Sequence, residues 1–300
     1  MLGSSRFLRS ATSQAAIAYG VAFALTFVAS TGVVLLVGAC RAFGHPALLE
    51  SETERFARSA AGLMACALVE AFVLASVALG APYVWGGRID SLRLRASQAS
   101  RIGSAAAVLG LVGLSAAGGA VIELLRRHTL GVTDTLAAAL ESGPSSLLLL
   151  ALFSLALAPA FAEELFFRGL LQPKLAQRWG RGPAIALTAA AFGVFHLDLA
   201  QGAVAFVAGL LLGWVAERFG SVRPCIAAHA TNNMLFVVLA TFSPSWAGSM
   251  RMQPWVLACG VVVLATSIGV LGRGVSLKLS HSVSSPRPLS ERARDPYSQS

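Results

Sequence analysis

The sequence predicts an all-α polytopic membrane protein with about eight transmembrane helices, on three observations. Apolar side chains make up 56% of the 300 residues and charged ones only 12%, about half the charge an ordinary soluble domain carries. The mean hydropathy is +0.70. The apolar runs are continuous and about 20 residues long, the length a spanning helix needs. A β-barrel would show alternating segments of about ten residues instead. Low charge and high hydropathy exclude a disordered chain.

The runs follow in order. The first covers about 15–40, after Arg6 and Arg9. It is too long for the apolar region of a signal peptide and reads as a first span or signal anchor. The second, about 60–85, closes on Pro82-Tyr83-Val84-Trp85, an interfacial aromatic signature. The third, about 102–125, is rich in Gly and Ala, which permits close helix packing. The fourth, about 145–162, runs into Glu163-Glu164, with a basic segment of Arg168, Lys174, Arg178 and Arg181 beyond. Spans five to eight fall at about 183–197, 201–217, 222–242 and 254–272. The 198–201 turn is very short, so spans five and six can also be read as a re-entrant pair. The chain thus divides into an N-terminus (1–14), helices one to three (15–144), a core of helices four to eight (145–272) and a Ser-, Arg- and Pro-rich tail (273–300) expected to be disordered.

The net charge is +9, carried by 21 Arg and two Lys. These residues sit between the apolar runs, as topogenic charges do, rather than on one basic face with stacking aromatics. The expected partner is therefore the lipid bilayer and not nucleic acid. With the N-terminus cytoplasmic, 17 Lys and Arg fall on the cytoplasmic side and 6 opposite. This bias predicts both termini in the cytoplasm and a plasma or inner membrane location. Cys40, Cys66, Cys225 and Cys259 are scattered through apolar segments and read as small buried hydrophobes.

Ionisable groups inside a bilayer are costly and mark candidate sites. Glu123 lies one turn before Arg126 and Arg127, and Glu217 adjoins Arg218; both read as interfacial pairs. Glu70 sits mid-span without a local partner, which leaves protonation, a cross-helix partner or a cavity as readings. In a helix, Glu164 and Arg168 are at i,i+4 and form an ion pair. Glu163 points about 100° away and lacks that partner. A carboxylate without a cation in a low-dielectric site holds protons more tightly and can act as a base; the bland reading is two glutamates ending a span. Phe192 and His196 share a face at the end of span five, and His229 and Asn233 share one in span seven. Either these are helix–helix hydrogen bonds, or Glu163, His196, His229 and Asn233 form one cluster of base, imidazole and oxyanion donors. No Ser or Cys is paired with a base, so water is the natural nucleophile.

The ordered set Glu-Glu-x-x-x-Arg (163–168), Phe-x-x-x-His (192–196) and His-x-x-x-Asn (229–233) resembles the CPBP family, the CAAX-protease and bacteriocin-processing (Abi or Rce1-like) membrane proteases. The three motifs fall within 71 residues, and the resemblance covers roughly 145–242. Asp198 is an acid the motifs do not require. The resemblance implies an intramembrane endopeptidase with eight helices and a glutamate-activated water. Carried over, Glu163 is the base, His196 helps bind and activate the water, His229 and Asn233 stabilise the oxyanion, and Glu164 with Arg168 supports them. Its substrates would be membrane-associated, of CAAX or leader-peptide type, and no cofactor is expected. The topology count places Glu163 near the cytoplasmic end of its span. A zinc variant would use Glu163, His196 and His229 as ligands, though no HExxH helix is present. A non-catalytic immunity or scaffold protein is the alternative of a different class. A proton-coupled transporter would show internal repeats, and none is found.

Overall fold

The computed structural model describes residues 10–97, 99–126, 132–242 and 253–283. Among these there are helices and no strands, the only spanning solution besides a closed barrel for a backbone without water to bond. The helices are α1 (Ala11–Arg41), α2 (Leu49–Ala57), α3 (Ala60–Val84), α4 (Arg101–Arg126), α5 (Val132–Glu141), α6 (Leu148–Trp179), α7 (Arg181–Phe195), α8 (Leu199–Phe219), α9 (Arg223–Phe242) and α10 (Pro254–Val283). Seven of them are long and apolar enough to cross a membrane: α1, α3, α4, α6, α8, α9 and α10. The expected fifth span is the shorter α7, whose 15 residues extend about 22 Å, less than the ~30 Å hydrocarbon core.

Burial orders the bundle. Only 6% of the most apolar window of α1 is buried, against 50% for α6 and for α8. The outward faces carry Phe27, Val28, Leu36, Phe72 and Phe153, an apolar exterior suited to lipid. At the centre, α6 packs against α3, α7 and α9 and touches α1. Close approach rests on glycine where helices meet. A Cβ on Gly113 of α4 would lie 2.8 Å from the carbonyl oxygen of Gly260 of α10, and one on Gly260 would lie 2.7 Å from that of Gly113. The small-residue character of span three thus serves the α4–α10 contact. Of the four cysteines, only Cys225 is fully buried; Cys40 and Cys259 are exposed on helix surfaces, which corrects the expectation that all are buried.

The largest departure from the expected layout is α6. The fourth span was expected to end at about 162, before the acidic pair. Instead the helix continues to Trp179, for 32 residues. Glu163 is therefore mid-helix, about 24 Å from the Trp179 end, rather than at the end of a span. The charged stretch stays helical because its polar side chains are met by other helices: Gln172, fully buried, donates to the Gly213 carbonyl at 3.0 Å and to Glu217 at 2.9 Å.

Two wide, π-type turns interrupt α6, over Leu152–Leu157 and Leu165–Leu171. Closing them, the Ala158 N–H bonds the Phe153 carbonyl and the Gln172 N–H bonds that of Phe167, each five residues back. Pro159 and Pro173 each follow a wide turn by two residues. Proline lacks an N–H and its ring collides with the carbonyl four residues earlier, and a wider turn moves that carbonyl aside. Both prolines are thus held without ending the helix, and Ala158–Glu164 remains a regular α-helical stretch between them.

Helices α7 and α8 form a tight hairpin. Leu197 turns the chain with φ +54°, and a Cβ on Gly202 would lie 2.7 Å from the Gly193 carbonyl oxygen. Asp198 caps α8, its carboxylate accepting from the Gln201 N–H at 2.7 Å; this gives the extra acid a structural role.

Two further expectations change. Glu217 does not pair with its neighbour Arg218: it accepts from Arg93 at 2.6 Å and from Gln172, while the Arg218 guanidinium lies 5.9 Å from the Trp214 ring. The expected tail from 273 begins as helix, since α10 runs to Val283 with no proline before Pro286 to stop it. Arg6 and Arg9, Arg127, residues 284–300 and the side chains of Glu123 and Arg126 lie outside the described residues.

Candidate active site

Three helices bring the motif residues together. α6 supplies Glu163, Glu164 and Arg168; α7 supplies Phe192 and, at its end, His196; α9 supplies His229 and Asn233. The pair expected from i,i+4 spacing is present: Arg168 Nη1 donates to Glu164 Oε1 at 2.8 Å, with both side chains fully buried. The guanidinium stacks 4.5 Å from the centre of the Phe192 ring, which gives that aromatic a physical purpose. A Cβ on Gly209 of α8 would meet Arg168 Nη2 at 3.4 Å and the Ala189 backbone at 2.9 Å, so glycine there leaves room for the arginine.

His229 joins the two glutamates. Its Nδ1 lies 2.9 Å from Glu164 Oε1, and its Nε2 lies 3.8 Å from Glu163 Oε2. Because Glu164 is held by Arg168 as an acceptor, Nδ1 is the nitrogen that carries the hydrogen in this bond. The Nε2 edge is then turned toward Glu163. At 3.8 Å that approach is too long for a hydrogen bond. Glu163 Oε2 is buried with no hydrogen-bond partner among the described residues, leaving its lone pairs available.

His196 is oriented in a similar way. Its Nδ1 lies 2.9 Å from the Phe192 carbonyl oxygen. A carbonyl only accepts, so Nδ1–H donates and the Nε2 lone pair is free. The imidazole packs edge-on against Phe192, centroids 4.9 Å apart, and Phe192 packs against His229 at 6.0 Å. The phenylalanine is thus the spacer between the two histidines. Among the described hydrogen bonds, none joins His196 to Glu163, and that of Asn233 is to its neighbour: Asn232 Nδ2 donates to Asn233 Oδ1 at 3.3 Å. With its oxygen engaged, Asn233 presents its NH2 as a donor on the face it shares with His229.

The aromatic floor was not foreseen. Phe167 packs edge-on against Phe192 at 5.0 Å and Phe195 at 5.8 Å, and Tyr19 and Phe23 of α1 close on Phe195. Tyr19 also donates to the Ala191 carbonyl at 3.0 Å, tying α1 to α7. Glu70 lies on α3, the helix that packs along Ala158–Glu164, and has Glu163 as an electrostatic neighbour. Its charge in mid-span was the one signal of this proximity in the sequence. Among the described residues no three His, Cys, Asp or Glu side chains converge on one point.

Residues 144–235 match the family described as Type II CAAX prenyl endopeptidase Rce1-like. Comparison with curated proteins and with solved structures gave no match. The matched stretch contains all three motifs and the helices α6, α7, α8 and most of α9 that build the site. With its seven apolar spans, the chain is an integral multi-pass membrane protein, and the segment that carries its candidate site is similar to the Rce1-like family of CAAX prenyl endopeptidases.

Proposed function

We propose that this protein is an intramembrane endopeptidase that hydrolyses membrane-associated peptide substrates with a water activated by Glu163. The observation that carries the reading is the unequal setting of two adjacent carboxylates. Glu164 is committed to Arg168 and His229, whereas Glu163 keeps a buried oxygen without a partner beside the Nε2 edge of His229. Two neighbouring acids whose surroundings differ in this way take different chemical roles.

The steps follow from these positions. Glu163 accepts a proton from water as the water oxygen bonds to the scissile carbonyl carbon. The free Nε2 of His196 is a second acceptor for orienting that water. Negative charge develops on the carbonyl oxygen, where the Asn233 NH2 would donate, joined by His229 Nε2 when that ring carries a hydrogen on both nitrogens. As the C–N bond breaks, Glu163 returns its proton to the departing amine. Glu164 and Arg168 keep their charges throughout and hold the His229 ring. A zinc-dependent course would need Glu163, His196 and His229 to converge on one ion.

The test compares protein N- and C-termini by mass spectrometry in cells lacking this protein, complemented with wild type or Glu163→Ala at equal membrane levels. New termini seen only with wild type support the protease and name its substrates. Identical termini, with the phenotype rescued equally by both versions, overturn it in favour of a non-catalytic immunity or scaffold role. Substrates ending in a prenylated Cys-a-a-X sequence are one expected class; peptides with leader sequences are another.

A further inference from the structure

The loop between α3 and α4 is held firmly against the core. The Leu92 side chain is fully buried, and its carbonyl oxygen would lie 2.8 Å from a Cβ on Gly169 of α6. Arg93 takes a left-handed backbone, with φ +57°, and its guanidinium donates to Glu217 at 2.6 Å. The turn between α8 and α9 bonds three successive carbonyls of the loop. The Val222 N–H donates to that of Arg93 at 3.0 Å, Arg223 Nε to that of Leu94 at 2.8 Å, and the Ser221 hydroxyl to that of Arg95 at 2.8 Å.

Between this loop and the α8–α9 turn lies a cleft of about 670 Å3, lined by Arg88, Asp90, Ser91, Arg93, Arg95 and Gly220. None of these residues belongs to the candidate active site. The charges of the cleft are unequally matched. Arg93 is answered by Glu217, but Arg88 and Arg95 share one oxygen, Asp90 Oδ2, at 3.7 and 3.8 Å. Both distances are too long for a hydrogen bond, and neither guanidinium takes part in any of the described hydrogen bonds. Their side chains are 87% and 75% exposed. Gly220, with φ +61°, has nothing within 4 Å of an added Cβ, so the floor of the cleft stays open. Two guanidinium forks with uncommitted donors therefore border one cleft on a rigid backbone.

That donor set fits a phosphate group, which guanidinium forks grip through paired hydrogen bonds. The position of the cleft selects the source of the phosphate. Exposed Tyr83 and Val84 close α3 just before Arg88, and the Lys174 ammonium lies 5.2 Å from the Trp85 ring. Near the end of α8, Arg218 lies 5.9 Å from the Trp214 ring. Aromatic rings beside cations mark the headgroup level of a bilayer. This is also the side on which the excess of Lys and Arg is expected, the side of the leaflet that carries anionic lipid. We propose that the cleft binds the phosphate of an anionic phospholipid headgroup between Arg88 and Arg95. The site stands apart from the reading of Glu163 as a base.

The test counts lipid bound to purified full-length protein by native mass spectrometry, with phosphatidylglycerol and phosphatidylcholine as probes. The proteins are wild type, Arg88→Gln/Arg95→Gln, and Arg55→Gln/Arg58→Gln, which removes the same charge from the exposed pairs of α2. Wild type is expected to retain phosphatidylglycerol over phosphatidylcholine. The Arg88→Gln/Arg95→Gln protein is expected to bind phosphatidylglycerol about tenfold or more weakly, the effect of two arginines at an anionic surface, and the α2 variant to bind it as wild type does. Equal binding by all three proteins, or an equal loss in both double variants, overturns the site. Displacement of the lipid by inorganic phosphate at the same concentration assigns the cleft to soluble phosphate compounds and overturns the lipid. If the Arg88→Gln/Arg95→Gln protein does not accumulate, wild type labelled with a phosphatidylglycerol bearing a photoreactive headgroup decides. Label on residues 86–95 is expected, and label absent from that loop overturns the proposal.

Discussion

His229 Nδ1 and Arg168 Nη1 meet at one atom: Glu164 Oε1 accepts from both, at 2.9 and 2.8 Å. A single carboxylate oxygen thereby fixes a ring on α9 and neutralises a guanidinium on α6. The imidazole edge turned toward Glu163 is a consequence of that shared acceptor, and the arginine is as much a part of the histidine's orientation as the glutamate is.

Loss of the arginine should therefore reach both stability and activity. Arg168→Ala leaves Glu164 as a fully buried carboxylate with only His229 to answer it, and breaking a buried pair in this way costs roughly 3–5 kcal/mol. Thermal unfolding in detergent, read alongside membrane accumulation, should show a clear drop. Wild-type stability and abundance would mean the pair is not integral to the fold.

Glu163→Gln keeps the shape of the side chain and removes its ability to take a proton. Cleavage should fall by at least ~10²-fold, the low end for loss of a general base, while thermal stability stays near that of wild type. A variant that still cleaves at the wild-type rate would remove Glu163 from the role of base.

The α7–α8 hairpin offers a test away from the chemistry. Gly202→Leu would place a side chain where even a Cβ comes within 2.7 Å of the Gly193 carbonyl, so the two helices must separate at the end that carries His196. Activity is expected to fall while the protein still inserts in the membrane. Unchanged kcat would show that the position of His196 does not depend on this contact.

Metal dependence can be read directly. Exhaustive chelation, with metal loss verified by elemental analysis, should leave cleavage unchanged if water is activated by Glu163 alone. Activity lost on chelation and restored by zinc would favour the arrangement with Glu163, His196 and His229 as ligands.

Much of this was legible in the sequence where the physics is local. The Glu164–Arg168 pair follows from a four-residue spacing, and the apolar runs follow from the bilayer. What depends on tertiary contact was not legible. The partner of His229 is 65 residues away, and the electrostatic neighbour of Glu70 lies on another helix. The end of the fourth span was misplaced for the same reason: Arg168, Gln172 and Lys174 read as polar along the chain. In the bundle Glu164, Glu217 and Gln14 answer them one by one, so the helix runs on. Asp198 shows the converse, an acid in a candidate region whose position is explained by a helix cap.

The four-residue separation of Glu164 and Arg168 also bears on how the chain is built into the bilayer. Both ends of the ion pair belong to α6, so the pair can close within a single helix as that helix leaves the translocation machinery. The segment then enters lipid already neutralised, without waiting for α9, which is synthesised about 60 residues later. Assembly divides accordingly: the costly charges of this pair are matched during insertion, and contacts such as the hydrogen bond of His229 to Glu164 are left for helix association. A protein whose buried arginine and glutamate came from different helices would have to carry each charge into the membrane alone.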